Sequence, residues 1–297
     1  MNKTTLKGYL FVVLSAVIYG CMPLMAKHIY ADGANSLTLV FLRNTLALPG
    51  LAILAYMEHK TLKIPLKQLG KVSLISFFGC TITPILLFSS YRYMASGTAT
   101  VFHFIYPAVV VLCGILFFKK KATPVSIISI VVCTVGIALF YDPNEAISFT
   151  GSAFALGSGL TFATYVLLLS NFAKEHISGF LFSFYVAAAS AVMTFLICLV
   201  SGQLVFPASF SGWGLCVLFA ISVTMCAVYL FQQGTFLIGG EKTSILSTLE
   251  PITSILIGVA VFHEAVSTNT VLGSVLVIAA SVLIALSDIR NNKTPRS

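Results

Sequence analysis

Charge is what this chain has least of. Only 9% of its 297 residues are Asp, Glu, Lys or Arg, and just 9 residues are acidic. An ordinary soluble domain carries about 25% charged residues. A water-facing surface of this size cannot be built from so few charges, which excludes a soluble globular enzyme, a disordered chain and a nucleic-acid-binding domain. The marks of catalysis are missing too. No GxxxxGK[ST] loop is present to cradle the phosphates of ATP. The pair His263–Glu264 opens like a zinc-protease helix, but position 267 is Ser267 where the second histidine belongs. No Cys/His cluster has metal-ligand spacing, and no Ser–His–Asp set lies at one depth. None of the seven cysteines sits in a CxxC pair or on a loop. No metal, no cofactor, no disulfide and no enzyme activity are therefore expected.

What the chain has in quantity is apolar sequence: 58% of its residues are hydrophobic. A helix crosses the hydrocarbon core with about 20 apolar residues. Ten runs qualify, roughly Gly8–Ile29, Ser36–Met57, Lys71–Met94, Gly97–Phe118, Pro124–Tyr141, Thr150–Phe172, Gly179–Ser201, Gly212–Leu237, Thr243–Phe262 and Asn269–Ser287. Strands of a membrane barrel would alternate apolar and polar residues. Ile127–Phe140 does not alternate, so these are read as helices. The longest gap between runs, Glu58–Gly70, leaves no room for a soluble domain.

The net charge of +8 is a topology signal. With the N-terminus in the cytoplasm, the inside segments hold Lys3, Lys7, Lys60, Lys63, Lys67, Lys71, Lys119–Lys121, Lys174, Lys242, Arg290, Lys293 and Arg296, which is 14 of the 17 basic residues. The outside loop Asp142–Ser148 has two acids and no base. This is the positive-inside asymmetry. It places both termini in the cytoplasm of a multi-pass protein of the cytoplasmic (inner) membrane, with anionic lipid and not nucleic acid as the partner of the basic charge.

The two halves resemble each other. With Pro107 laid over Pro251, an offset of 144, Gly114 falls on Gly258 and Phe118 on Phe262. Helix 1 matches helix 6 more weakly, Gly8 with Gly151, Ser15 with Ser158 and Tyr19 with Phe162. Residues 1–145 then form a first five-helix repeat and 146–297 a second, ending in a short cytoplasmic tail. An odd number of helices per repeat turns the second upside-down. The expected fold is thus an all-α integral membrane protein, ten transmembrane helices as two inverted five-helix repeats around a central cavity. Inverted repeats of this type build many secondary transporters, with the substrate held near the midplane between the halves.

The stretches FLRNTLA (Phe41–Ala47), SYRYMASGTATVFHFIYPAVVVL (Ser90–Leu112) and LEPITSILIGVAVFHE (Leu249–Glu264) resemble the drug/metabolite transporter superfamily and, within it, the EamA-type transporters. His263 stands where that family usually has Gly, and Lys120 where the first repeat usually has Glu. The resemblance covers essentially the whole chain. It implies a carrier of small organic metabolites.

Few polar groups lie inside the spans. Glu250 is the single acid among them. A charge at mid-bilayer costs several kcal/mol unless it faces a wet cavity, finds a partner or stays protonated. Glu250 is read as a substrate or proton site, or as a neutral group bonded to a neighbouring helix. His103 and Tyr106, three apart, share a face of helix 4, and their repeat equivalents Ser247 and Glu250 share a face of helix 9. Gln232 and Gln233 on helix 8 align with Phe88 and Ser89 on helix 3. Two adjacent amides cannot both face lipid cheaply, so at least one is expected to point inward. Tyr19, Tyr91 and Tyr165 offer ring faces and hydroxyls. Arg43 snorkels outward, anchors a helix end or holds an anionic substrate group. Pro107 and Pro251 each remove a backbone donor and are candidate kinks or gates. Gly151, Ala155, Gly159 and Ala163 recur every four residues, a seam for close helix approach.

The substrate-binding set expected from the sequence is therefore Glu250, His103, Tyr106, Gln233, Gln232, Ser247, Tyr19, Ser89 and Arg43. The expected function is a secondary transporter working by alternating access on amino acids or related amphiphiles, with export as the direction the family resemblance implies. Protons are the candidate coupling ion, and a homodimer is the candidate assembly. A channel and a membrane-embedded lipid-modifying enzyme are the alternatives.

Overall fold

The computed structural model of the chain describes residues 3–94, 96–118, 123–139, 148–172, 177, 179–262 and 268–291. The Lys119–Lys121 triplet, Lys174, most of the Asp142–Ser148 loop, His263–Glu264 and the tail holding Lys293 and Arg296 lie outside these residues.

The regular elements among the described residues are helical. In chain order they are α1 (Lys3–Gly20), α2 (Met22–Ala31), α3 (Ser36–His59), α4 (Leu66–Ser76), a π-helical stretch (Phe77–Ile82), α5 (Thr83–Ser90), α6 (Ser96–His103), α7 (Tyr106–Phe118) and α8 (Pro124–Ala138). They continue as α9 (Phe149–Phe172), α10 (Gly179–Ser201), α11 (Phe210–Phe219), a second π-helical stretch (Ala220–Val228), α12 (Tyr229–Ile238), α13 (Gly240–Leu246), α14 (Leu249–Phe262) and α15 (Thr268–Asn291). Among the described residues, six rods have the length and apolar composition to cross a membrane: Lys3–Ala31, Ser36–Glu58, Leu66–Ser90, Phe149–Phe172, Gly179–Ser201 and Phe210–Ile238. Shorter apolar helices cover Tyr106–Leu116, Pro124–Ala138 and Val271–Ala280. The molecule is an all-helical integral membrane protein.

Local sequence explains where these helices start and where they break. Asn35, Thr123 and Ser209 each cap a helix start by accepting from the amide three residues on, Thr38, Ser126 and Gly212. Interior breaks follow from proline, which has no amide to pair with the carbonyl four residues before it. Pro107 cannot bond the His103 carbonyl, and the chain turns out of α6 there. Pro251 cannot bond the Ser247 carbonyl, which instead accepts from the Glu250 amide at 3.0 Å. Pro84 strands the Cys80 carbonyl in the first π-helical stretch, and Ser190 of α10 donates to it at 2.8 Å. A freed carbonyl in a membrane must be satisfied inside the protein. Serines also reach across to the Ala227 carbonyl, from Ser15, and to the Gly20 carbonyl, from Ser254. Shifted by the 144 residues that separate Pro107 from Pro251, the first π-helical stretch falls inside the second, and the α6–α7 break falls on the α13–α14 break to within a residue.

Helices of the first half pack mainly on helices of the second. α3 lies along α10, α8 along α15, α1 against α12 and α5 against α9. α9 also touches α6 and α7, as α1 touches α13 and α14. Each contact thus has a counterpart with the halves exchanged. The small-residue seam of α9 is buried throughout. At Gly159 a Cβ atom would stand 2.6 Å from the His103 carbonyl oxygen, so only glycine admits this approach.

One end of the α3–α10 pair is fastened by loop contacts. The Asn35 side chain and the Thr38 hydroxyl both donate to the Gln203 carbonyl, and the Val205 amide donates to Thr38 Oγ1. Beside them the Ser209 amide donates to the Asp32 carboxylate at 3.0 Å. Hydrogen bonds from the Ser209 backbone and side chain, and from the Ala208 backbone, hold this carboxyl below the ordinary carboxylate range. A lowered acid contributes stability above its ordinary value and loses it as the pH falls through the lowered one. Asp32→Ala is expected to lower the thermal midpoint of the purified protein at neutral pH. The difference from the parent should vanish in strong acid, and melting curves at both pH values check it.

Candidate functional site

Pro84, both π-helical stretches and α9 meet at one cavity. Its first-half wall is Tyr19 and Met22 from the first rod, Arg43 from α3, Gly79 and Cys80 from the first π-helical stretch, Thr83, Pro84 and Leu87 from α5, and His103 from the end of α6. Its second-half wall is Phe162 and Tyr165 from α9, Val228 from the end of the second π-helical stretch, and Glu250 from the start of α14. Room for water centres amounts to about 50 Å³. One water needs roughly 10–15 Å³ by this measure, so a handful of waters fit and a metabolite does not without helix movement.

The cavity has both polar and aromatic parts. Arg43 is 4% exposed and its Nε has no hydrogen-bond partner. Its charge is within electrostatic reach of Tyr19, Cys80 and Tyr165. His103 Nδ1 lies 2.9 Å from Ser158 Oγ. The single Ser158 hydroxyl proton goes to the Ala155 carbonyl at 2.6 Å. His103 Nδ1 is therefore the donor of the pair, and in the neutral ring Nε2 is left as an acceptor. Thr83 Oγ1 bridges the halves to Thr161 Oγ1 at 2.7 Å. Below these groups rings stack into a layer. Phe162 meets His103, Tyr106, Tyr165 and Phe231 at centroid distances of 4.7–5.4 Å, and Tyr19 packs on Phe231 at 6.5 Å. Edge and tilted ring contacts of this kind are worth about 1 kcal/mol each beyond area burial. The layer closes the cavity toward α12.

Of the residues expected from the sequence, the structure brings Glu250, Arg43, His103 and Tyr19 to one cavity. Tyr106 lies one layer away, 1% exposed, its hydroxyl directed at the Ser244 carbonyl at 3.4 Å. Ser247, in the break just past α13, is buried and donates to the Thr243 carbonyl. Ser89 pairs with Ser36 at 3.2 Å, away from the lining. Gln232 is wholly buried beside α10, where its Oε1 accepts from Ser183 at 2.6 Å, and its Nε2 has no partner. Gln233 is half-buried and its Nε2 is also unpartnered. Neither amide is among the lining residues. Pro107 and Pro251 sit just past the α6–α7 and α13–α14 breaks, both buried. The sequence reading missed the wall from Gly79 to Leu87. The signal available for it was Pro84 within an apolar span, preceded by Thr81 and Thr83.

Comparison with known proteins fits this arrangement. The sequence model of the EamA-like transporter family matches twice in succession, over residues 6–141 and 149–286. An uncharacterized transporter of Clostridium kluyveri is 22% identical over 290 residues, covering 93% of this chain and 92% of the relative. An uncharacterized inner membrane transporter of Salmonella typhimurium, YicL, is 24% identical over 97% of this chain and 98% of its own. A WAT1-related protein of Arabidopsis thaliana is 28% identical over 147 residues, 47% of this chain and 41% of the relative. A solved crystal structure superposes with a TM-score of 0.76, covering 97% of this chain and 99% of that chain at 16% identity, a likeness of fold.

Proposed function

The chain belongs to the EamA-like transporter family, and from that membership we propose that it is a secondary transporter moving small organic metabolites, amino acids or related amphiphiles, out of the cell by alternating access. The observation that carries this reading is the cavity itself. It lies between the two family-matched segments and is walled by ionisable and aromatic groups from both. Its present volume admits a few waters, so cargo must enter by a rearrangement of the walls.

The repeat supports such a rearrangement. We read the shorter and broken helices as the remaining spans of a ten-helix bundle, residues 1–145 and 146–297 being inverted copies with both termini in the cytoplasm. The helix contacts are reciprocal between the halves, as a two-fold relation requires. Two like halves have two packings of similar energy, and exchanging them opens the cavity to one side and then the other. The breaks at Pro107 and Pro251 and the two π-helical stretches put the least regular backbone around the cargo, where irregular backbone in a membrane is tolerated.

The test is reconstitution. The purified protein in liposomes is expected to move at least one solute from a panel of amino acids, nucleobases and cationic drugs, at carrier rates that saturate with concentration. Failure across that panel would remove the transporter reading for this cavity. Conductance that does not saturate would point to the channel alternative instead.

A further inference from the structure

We propose that Arg43 is the carboxylate-binding group of the cavity and Glu250 its counterpart for an ammonium group, so that the cargo is a zwitterion held across the two halves. This rests on the transporter reading and narrows its substrate class.

Arg43 sits in α3 with 4% of its surface exposed, and its Nε is without a hydrogen-bond partner. A snorkelling arginine reaches the interface with its head in water. An arginine that anchors a helix end has its donors taken by carbonyls or an acid. Arg43 is buried rather than at the interface, its Nε has no carbonyl or acid partner, and it lines the cavity. A guanidinium keeps its charge and presents five donors in a planar fork that matches a carboxylate. Left unpaired at membrane depth it costs several kcal/mol.

The cavity wall also holds one acid, Glu250. Among the described residues no ion pair joins it to Arg43, although the two share the cavity. The site thus offers one cation, with an unpartnered Nε, and one carboxyl group that a bound ammonium would hold ionised. A purely anionic cargo would satisfy Arg43 and leave Glu250 without a partner. A purely cationic cargo would do the reverse. A molecule with a carboxylate and an ammonium group satisfies both and keeps the site neutral as it crosses the bilayer. Between the charged ends Met22, Leu87 and Phe162 offer an apolar surface for an uncharged side chain.

The experiment measures thermal stabilisation of the full-length protein in detergent by L-leucine, L-methionine and L-phenylalanine, each beside its carboxamide and its N-acetyl derivative. Liposome transport is measured in parallel. The free amino acids are expected to bind at least about tenfold more tightly than either derivative, because each derivative leaves one buried charge unpaired. Arg43→Gln is expected to erase the preference for acid over carboxamide, and Glu250→Gln the preference for amine over N-acetyl. Should Arg43→Gln fail to fold, the parent protein's derivative series decides alone. Equal binding of leucine and leucinamide by the parent protein overturns the proposal, and so does stabilisation by nucleobases or drugs but by no amino acid. In both cases transport in liposomes leaves the transporter reading standing. Absence of transport for every solute removes both.

Discussion

Glu250→Gln is expected to lower transport in liposomes by roughly a hundredfold while the protein remains folded. The side chains are nearly isosteric, so packing around the α13–α14 break is preserved. What changes is the one acid on the cavity wall. Truncating one partner of a buried hydrogen-bonded charge pair costs about 2–5 kcal/mol, and each 1.4 kcal/mol is about tenfold. Stability should hold or rise, because a partly buried carboxylate with no protein partner carries a desolvation cost that the amide lessens. Initial rates at saturating and limiting solute, beside a melting curve, check both halves of the expectation. If Glu250 also carries the coupling proton, the variant exchanges solute across the membrane but no longer accumulates it against a gradient. Unchanged net transport and unchanged accumulation would take Glu250 out of the mechanism.

Gly159→Val is expected to have the largest effect on stability, about 1–3 kcal/mol of overpacking. The first atom of any side chain there would lie 2.6 Å from the His103 carbonyl oxygen and 2.9 Å from Ile105 Cγ2. The carbonyl belongs to the backbone at the α6–α7 break, so it cannot swing aside as a side-chain tip can. α6 must move away from α9, and the contact of His103 Nδ1 with Ser158 Oγ, 2.9 Å in the parent, is strained with it. Expression yield and the thermal midpoint in detergent read the loss. Gly214→Ala is the control. Nothing lies within 4 Å of a Cβ atom there, and in a helix alanine is favoured over glycine by up to about 1 kcal/mol. A Gly159→Val protein as stable as Gly214→Ala would show that the seam on α9 does not need its small residues.

Much of the architecture was legible in the amino-acid string because lipid imposes a simple rule. Every backbone polar group must be paired within the span, so an apolar run of sufficient length is a helix. The runs expected at Ser36–Met57, Thr150–Phe172 and Gly179–Ser201 meet α3, α9 and α10 to within two residues. Interruptions at Pro107 and Pro251 were legible for the same reason, a missing amide. The seam of α9 could be read because small residues every four positions share a face. Which polar residues share a cavity was less legible. Glu250, Arg43, His103 and Tyr19 converge, whereas Tyr106 and Ser247 are not among the lining residues, and Gln232 is spent partly on Ser183. In a soluble helix the apolar stripe tells which face is inside. In these helices lipid and protein interior are equally apolar, so sequence gives the depth of a residue and says little about its direction.

The sequence by itself determined the membrane, the helices, the positions of their proline breaks and the scarcity of charge that makes Glu250 and Arg43 conspicuous. Only the tertiary structure decided that these two charges face one cavity without pairing. That depends on how each rod is rotated about its axis. A π-helical turn holds an extra residue and shifts the facing of everything beyond it. The stretches at Phe77–Ile82 and Ala220–Val228 set that rotation for two rods. Serines from partner helices hold the carbonyls of Cys80 and Ala227 in these stretches, a contact that exists only once the halves have come together.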